Sequence, residues 1–317
     1  MNNLISGPCS VESTEQFEET LKGLLKQGIT NIRAGVWKPR TNAGEFEGLG
    51  IEALDIIHNA KMKGYDFTSF VEVANKNHVR NCEIYEIDVF WIGSRTTGNP
   101  FAVQEIAEAI YDKDKVILVK NPMQNDLKLW IGAINRFKKL GFKNVLPVFR
   151  GFSTKGLYRN QPEWGVLEGL KKELGYDSCD IIIDASHIAG DRIYLKEIIN
   201  KAKDLGYSAF MLESHFNPTE ALTDSDQQIE PNEIFDYLDS PQTLDYERNI
   251  IDDIDNKIIE LLNKRFEASN QIGFKKKKTK SEVFNHKRFK EVSEKYGEFQ
   301  EVYEAIHNIS IIKQRKL

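Results

Sequence analysis

Up to Leu238, short apolar runs that end in polar residues alternate with amphipathic stretches. The runs end near Cys9, Arg33, Glu72, Arg95, Lys120, Arg150, His187 and Glu213, and each reads as a β-strand. Between them, apolar residues recur at helical spacing in Glu15–Gln27, Ile51–Lys63, Phe101–Tyr111 and Lys128–Leu140. Lys115–Val119 and Asp180–Ile183 are almost wholly apolar inside, as parallel strands covered on both faces are. Lys63-Gly64 and Leu140-Gly141 place a glycine where a helix must stop. Eight such units predict an α/β fold, a (β/α)8 TIM barrel. An open doubly wound sheet is the competing architecture. It would carry a glycine-rich dinucleotide turn after its first strand, and the sequence has none there.

The pattern changes after Leu238. Residues 239–243 read as a linker between a barrel over residues 1–238 and a small all-α helical domain over residues 244–317. From Leu244 to about Lys278 there is no proline, and Gly273 is the only glycine. Ile251, Ile254, Ile258, Leu261 and Leu262 recur at helical spacing. Such a helix is roughly 50 Å long at about 1.5 Å per residue. The chain that remains is too short to cover it. It is therefore expected to pair with a second copy, giving a homodimer, or to pack along the barrel. A last helix is expected from about Phe299 to Gln314.

Composition narrows the class. A chain of 317 residues exceeds what one core usually needs, which agrees with two domains. A net charge of -5 argues against a protein that coats nucleic acid. No apolar run reaches a transmembrane length, and no basic segment precedes an apolar one at the N-terminus. Cys9, Cys82 and Cys179 make no disulfide framework. A cytoplasmic enzyme without nucleic-acid or membrane partners is the expectation. With its first strand so close to Met1, the chain leaves no room for an N-terminal regulatory domain, so control is expected through the tail.

In a barrel of this class, chemistry sits at the C-terminal ends of the strands. Four of the expected ends are cations, Arg33, Arg95, Lys120 and Arg150. Singly, each is an ordinary solvated charge. Together on one rim they repel one another unless an anion joins them, and two anionic substrates fit. Cys9, His187, Glu213 and Asp224 offer one sulfur, one nitrogen and two carboxylates, a set suited to a divalent transition metal acting as Lewis acid. Taken alone, Cys9 reads as a buried thiol and His187 as a core histidine. Only the barrel can unite residues so far apart in sequence.

These residues lie in motifs that resemble a known family. Gly7-Pro8-Cys9-Ser10-Val11-Glu12, Arg33-Ala34-Gly35, Lys38-Pro39-Arg40-Thr41, Asp184–Gly190 and Leu222-Thr223-Asp224 are similar to 3-deoxy-D-arabino-heptulosonate 7-phosphate (DAHP) synthase, in its short type I-beta branch. The resemblance spans about Leu4 to Leu238. It implies aldol-type condensation of phosphoenolpyruvate with erythrose 4-phosphate, the first step of the shikimate pathway to aromatic amino acids. By position it implies that Cys9, His187, Glu213 and Asp224 hold the metal, which the donor set allows to be Mn, Fe, Co or Zn. It further implies that Arg33, Lys38, Arg95, Lys120 and Arg150 bind phosphoenolpyruvate, that Arg40, Thr41 and Arg192 face the sugar phosphate, and that Ser94 is a substrate-binding position. Lys120 and His187 take the catalytic roles. The sister enzyme that uses arabinose 5-phosphate has an asparagine-containing segment where this chain has Lys38–Thr41, which favours the four-carbon sugar. Ser94, Ala185 and Asp191 depart from the common family residues, as does the loop Asn42–Phe46.

On the C-terminal helix, Arg265 and Lys276 lie eleven residues apart and share a face about 16 Å long. Arg248 points elsewhere. Ser310 and Gln314 share a face one turn apart. Spacing alone also allows an exposed helix with scattered charges, in which Lys275–Lys278 is a solvated run. Arg248 to Lys276, with Ile306–Gln314, resembles the helical chorismate mutase over about Leu244 to Leu317. The resemblance implies cofactor-free rearrangement of chorismate to prephenate. Arg248 of a partner chain, Arg265, Arg288 and Ser310 then bind the substrate, and Lys276 and Gln314 hydrogen-bond its ether oxygen. Phe289 stands where the family usually has glutamate, and the stretch between Arg288 and Ser310 is short. The alternative is a non-catalytic dimerising module that senses chorismate or prephenate.

Overall fold

Eight strands, β1 (Leu4–Gly7), β2 (Asn31–Arg33), β3 (Thr68–Glu72), β4 (Val89–Ile92), β5 (Ile117–Lys120), β6 (Val145–Phe149), β7 (Ile182–Asp184) and β8 (Ala209–Glu213), close in sequence order into a parallel barrel. β8 returns to β1, pairing Gly7 with Glu213. The structure is a computed structural model and describes residues 4–38, 44–239, 244–279 and 284–316. The chain forms two compact units, Met1–Gln242 and Thr243–Leu317. The expected linker position Asp239 is the last residue of a short helix, Ile234–Asp239, and positions 240–243 lie outside the described residues.

Strand alternation builds the first unit. One set of side chains fills the barrel interior: Ile5, Phe70, Val89, Trp91, Leu118, Val148, Ile182, Ala209 and Met211. The other set, with Phe17, Leu21, Ile57, Trp130, Phe137 and Ile199 of the surrounding helices, forms the larger outer core. Two residues beyond an inward apolar position the chain again faces inward. Thus Phe70 leads to Glu72, Leu118 to Lys120, Val148 to Arg150, Ile182 to Asp184 and Met211 to Glu213, a ring of charge above an apolar plug.

Local signals start the helices. Ser13, Asn75 and Asp126 accept backbone N–H bonds at the N-termini of α1 (Thr14–Lys26), α3 (Lys76–Ile84) and α6 (Leu127–Lys139). Between these lie α2 (Ile51–Met62), α4 (Ser94–Thr97) and α5 (Pro100–Ala109). After them come α7 (Gly165–Leu174), α8 (Ala185–Ala189), α9 (Leu195–Asp204) and α10 (Ile234–Asp239). Gly7 has φ +150°, and a Cβ there would sit 2.1 Å from the Arg33 carbonyl oxygen. Only glycine lets β1 end this close to β2, which sets Cys9 over the barrel mouth.

The second unit is helical: α11 (Leu244–Thr279), α12 (His286–Ser293) and α13 (Gln300–Arg315). α11 packs on α13, and a 3-10 segment, Glu294–Phe299, leads from α12 into α13. The expected long helix and last helix match these within about one residue. Along α11, Ile251, Ile258, Leu261, Ile272 and Phe274 are exposed in the single chain.

Candidate functional site

The barrel mouth holds a cavity of about 440 Å³ lined by the loops after the strands. Lys38, Arg95, Lys120, Arg150 and Arg159 line it against Glu45, Glu72 and Asp224, an excess of positive charge. Arg150 is mostly buried, and burial lowers its pKa to about 10, which leaves it cationic at neutral pH. The Ser94 hydroxyl, also on the wall, is buried and has no hydrogen-bond partner among the described residues.

At the cavity floor, ligand atoms of Cys9, Glu213 and Asp224 lie within 4.8 Å of one another. Cys9 Sγ is 3.1 Å from Asp224 Oδ2 and 2.7 Å from Lys38 Nζ. His187 approaches the same group, its Nε2 3.8 Å from Glu213 Oε1. On its other edge, His187 Nδ1 lies 3.0 Å from Asp184 Oδ1. That contact assigns the Nδ1–H tautomer and turns the Nε2 lone pair toward Glu213. Asp224 reaches the group from a left-handed backbone position, φ +49°, which aspartate tolerates better than most residues.

Glu213 is fully buried. Its Oε1 is 2.7 Å from Arg33 Nη2, yet it lacks the alignment of a hydrogen bond, and the atom accepts no hydrogen bond among the described residues. Its Oε2 accepts from Gln227 Nε2. Burial pushes the Glu213 carboxyl up, but Arg33, then His187 and Lys38, outweigh it and hold the pKa below the usual range. Burial likewise raises Asp224, and Arg159 at 2.9 Å leads the charges that bring it down. Burial pushes the Cys9 thiol up to about 12. A neutral thiol, a buried carboxylate oxygen that accepts no hydrogen bond and an imidazole lone pair facing one point form a donor set that fits a divalent cation, which would displace the thiol proton.

The structure gathers Lys38, Ser94, Arg95, Lys120, Arg150, His187 and Asp224 onto one cavity. Arg95 and His187 stand in the short helices α4 and α8 that follow β4 and β7. Arg33 is different. It is 1% exposed, pairs with Glu213 and lies over the Trp91 ring at 5.3 Å, beneath the cavity wall. Arg192 donates to the Ser225 carbonyl and does not line the cavity. Arg40 and Thr41 lie outside the described residues.

Asp184, Glu72 and Arg159 are among the site residues that sequence reasoning missed. Asp184 Oδ2 lies 2.6 Å from Lys120 Nζ while Oδ1 holds His187, so one buried carboxylate anchors both. Its signal was the alternation from Ile182. Glu72, recognised as a strand end, accepts from Trp91 Nε1 at 2.8 Å and lines the cavity. Arg159 comes from the loop after β6, where no periodicity marks it.

The helical unit has a cavity of its own, about 490 Å³. Arg265, Lys276, Arg288, Ser310 and Gln314 line it, while Arg248 does not. Arg265 Nη1 donates to Ser310 Oγ at 2.6 Å. Gln314 Nε2 donates to the Ser269 carbonyl and hydroxyl at 2.8 and 2.7 Å, and Gln314 Oε1 is buried without a hydrogen-bond partner among the described residues. Phe289, Tyr303 and His307 form an aromatic wall. No carboxylate lines this cavity among the described residues.

Comparison with known proteins agrees with both family resemblances. Residues 2–246 match the DAHP synthetase I family, and residues 247–315 match chorismate mutase type II. The chain is 27% identical over 228 residues to the phospho-2-dehydro-3-deoxyheptonate aldolase of Thermotoga maritima. That match covers 72% of this chain and 65% of the relative, so the chain spans less than two thirds of that protein's length. A 2-dehydro-3-deoxyphosphooctonate aldolase of Protochlamydia amoebophila is 24% identical over 245 residues, covering 70% of this chain and 83% of that relative. A crystal structure of the Thermotoga maritima DAHP synthase superposes with a TM-score of 0.66 at 25% identity, covering 74% of this chain and 66% of that one.

Proposed function

The chain belongs to the DAHP synthetase I family, and on that premise we propose that it is bifunctional. Its barrel condenses phosphoenolpyruvate with erythrose 4-phosphate, and its helical unit rearranges chorismate to prephenate. The observation that carries the first reading is the convergence of Lys38, Arg95, Lys120 and Arg150 directly above Cys9, His187, Glu213 and Asp224. These four cations bind the carboxylate and phosphate of phosphoenolpyruvate. Arg33 acts from below by fixing Glu213. Cys9, His187, Glu213 and Asp224 would hold a divalent metal, which would supply Lewis acidity toward the aldehyde.

The methylene carbon of the enolpyruvate attacks the aldehyde carbon, and the Lys120 ammonium, anchored on Asp184, gives the aldehyde oxygen its proton. Water then adds at the enol carbon. The added water returns one proton to Lys120, and the new hydroxyl becomes the ketone as the C–O bond to phosphate breaks and its proton leaves with the phosphate. In the helical cavity, Arg265, Lys276 and Arg288 bind the two carboxylates and meet the charge that grows on the ether oxygen.

A paired assay tests both readings on one preparation. Phosphoenolpyruvate is consumed only when erythrose 4-phosphate and a divalent metal are both present, and Cys9→Ala abolishes the reaction. Full activity after thorough chelation, or in Cys9→Ala, overturns the barrel reading. Arg265→Ala lowers chorismate turnover by about 10²–10³-fold, the loss expected for one charge-stabilising donor. Unchanged turnover removes the mutase assignment.

A further inference from the structure

Of the cavity-lining groups in the helical unit, His307 has no role in the reading above. It stands on α13, on the same face as Ser310 and Gln314. Its ring is packed among Phe284, Phe289 and Tyr303, with centroids 5.8, 4.8 and 5.9 Å away. Its Nε2 is buried and has no hydrogen-bond partner among the described residues. A polar atom in that state, on a cavity wall, is satisfied by whatever fills the cavity. The charged side chains on the same walls are Arg265 and Lys276 of α11 and Arg288 of α12. Burial first, and then Arg265 and Lys276, lower the His307 pKa, so the ring is neutral at pH 7.

Resting on the mutase reading, we propose that His307 contacts the ring hydroxyl of a hydroxylated cyclic dicarboxylate through Nε2 and thereby sets specificity for that hydroxyl. Three cations serve two carboxylates, which leaves a neutral polar edge for a neutral polar group. Phe284 and Phe289 beside His307 offer only apolar faces, so on their side of the ring the imidazole edge is the buried polar group left for the ligand's hydroxyl. A site that hydrogen-bonds a hydroxyl discriminates strongly against the analogue lacking it. Gln314 Oε1 also lines this cavity, buried and without a hydrogen-bond partner among the described residues. It lies about 10 Å further along α13, at the end of the cavity beside Ser269.

The test is calorimetric titration of the full-length protein with two probes, prephenate and its deoxy counterpart with hydrogen in place of the ring hydroxyl. Wild type binds prephenate on the order of tenfold more tightly than the deoxy probe, the worth of about one hydrogen bond. His307→Leu loses that preference while binding the deoxy probe as wild type does. His307→Gln, which keeps a polar edge, retains most of it. A structural role for His307 predicts equal weakening toward both probes, and that result overturns the proposal. So does a preference that survives His307→Leu and vanishes in Gln314→Met. Prephenate bound without any hydroxyl preference in wild type refutes the His307 role and leaves the mutase reading intact. Failure of wild type to bind prephenate at all refutes both.

Discussion

Asp184 shows how much one buried side chain organises. With Lys120 on one oxygen and His187 on the other, it fixes a cation for the substrate and the tautomer of a metal-type ligand. Burial raises its pKa, but His187 and Lys120 outweigh that and hold the carboxyl well below the usual range. Replacing it with Asn leaves Lys120 buried without a countercharge and loosens the imidazole. The expected result is a 10–100-fold loss of metal affinity, the usual cost of removing a ligand's orienting partner. Titration of Asp184→Asn against a competing chelator measures it, and wild-type affinity would show that His187 is oriented by something else. Asp88 gives a pH dependence far from the metal ligands. It accepts from Ser69 N and Oγ, each at 2.7 Å, and from Lys61 at 2.6 Å. Burial raises its pKa, yet Lys61 and Ser69 bring it below the usual value. A carboxyl depressed in the folded state stabilises the fold above its unfolded pKa of about 3.9 and loses that contribution as pH falls through the folded value. Asp88→Asn should therefore melt below wild type at pH 7, and the gap should close as the pH drops below about 4. A gap independent of pH would show that the carboxylate charge contributes nothing.

Among the elements, the α/β units follow from local rules and the helical unit depends on its caps. Asn285 accepts the Arg288 backbone N–H at the start of α12, and both residues line the helical cavity. With only eight residues, α12 has little stability of its own. Asn285→Ala should cost about 1 kcal/mol, the usual value of an N-cap, and it should weaken prephenate binding through Arg288. Asn285→Ser should preserve both, because serine caps about equally well and adds no charge to the cavity wall. Thermal melts and titrations of the two variants check this, and an unaffected Asn285→Ala would mean that packing alone holds α12. The elements also mark where the sequence was legible. Strand ends and the bounds of α11 and α13 could be read closely, since periodicity and glycine stops are local. The short helices α4 and α8, which carry Arg95 and His187 inward, were not read as helices because a single turn has no period to detect.

For the whole molecule, the two compact units predict separable behaviour. A chain ending at Asp239 should keep the barrel's secondary structure and still consume phosphoenolpyruvate with erythrose 4-phosphate. If the helical unit instead acts as a sensor, prephenate inhibits the full chain and not the truncated one. Inhibition that persists without residues 240–317 places the prephenate response in the barrel.

The sequence alone determined the alternating architecture, the helical tail and the kinds of donor at each strand end, because these follow from periods of 2 and 3.6 residues and from cap chemistry. It did not determine what each donor meets. Arg33 and Lys120 look alike as cations at strand ends. Only barrel closure places one against Glu213 below the cavity and the other on its wall against Asp184. Arg33 meets a neighbour 180 residues away in the chain, and no local pattern encodes that distance. The same holds for His307, whose unpartnered nitrogen becomes visible only when α11, α12 and α13 enclose it.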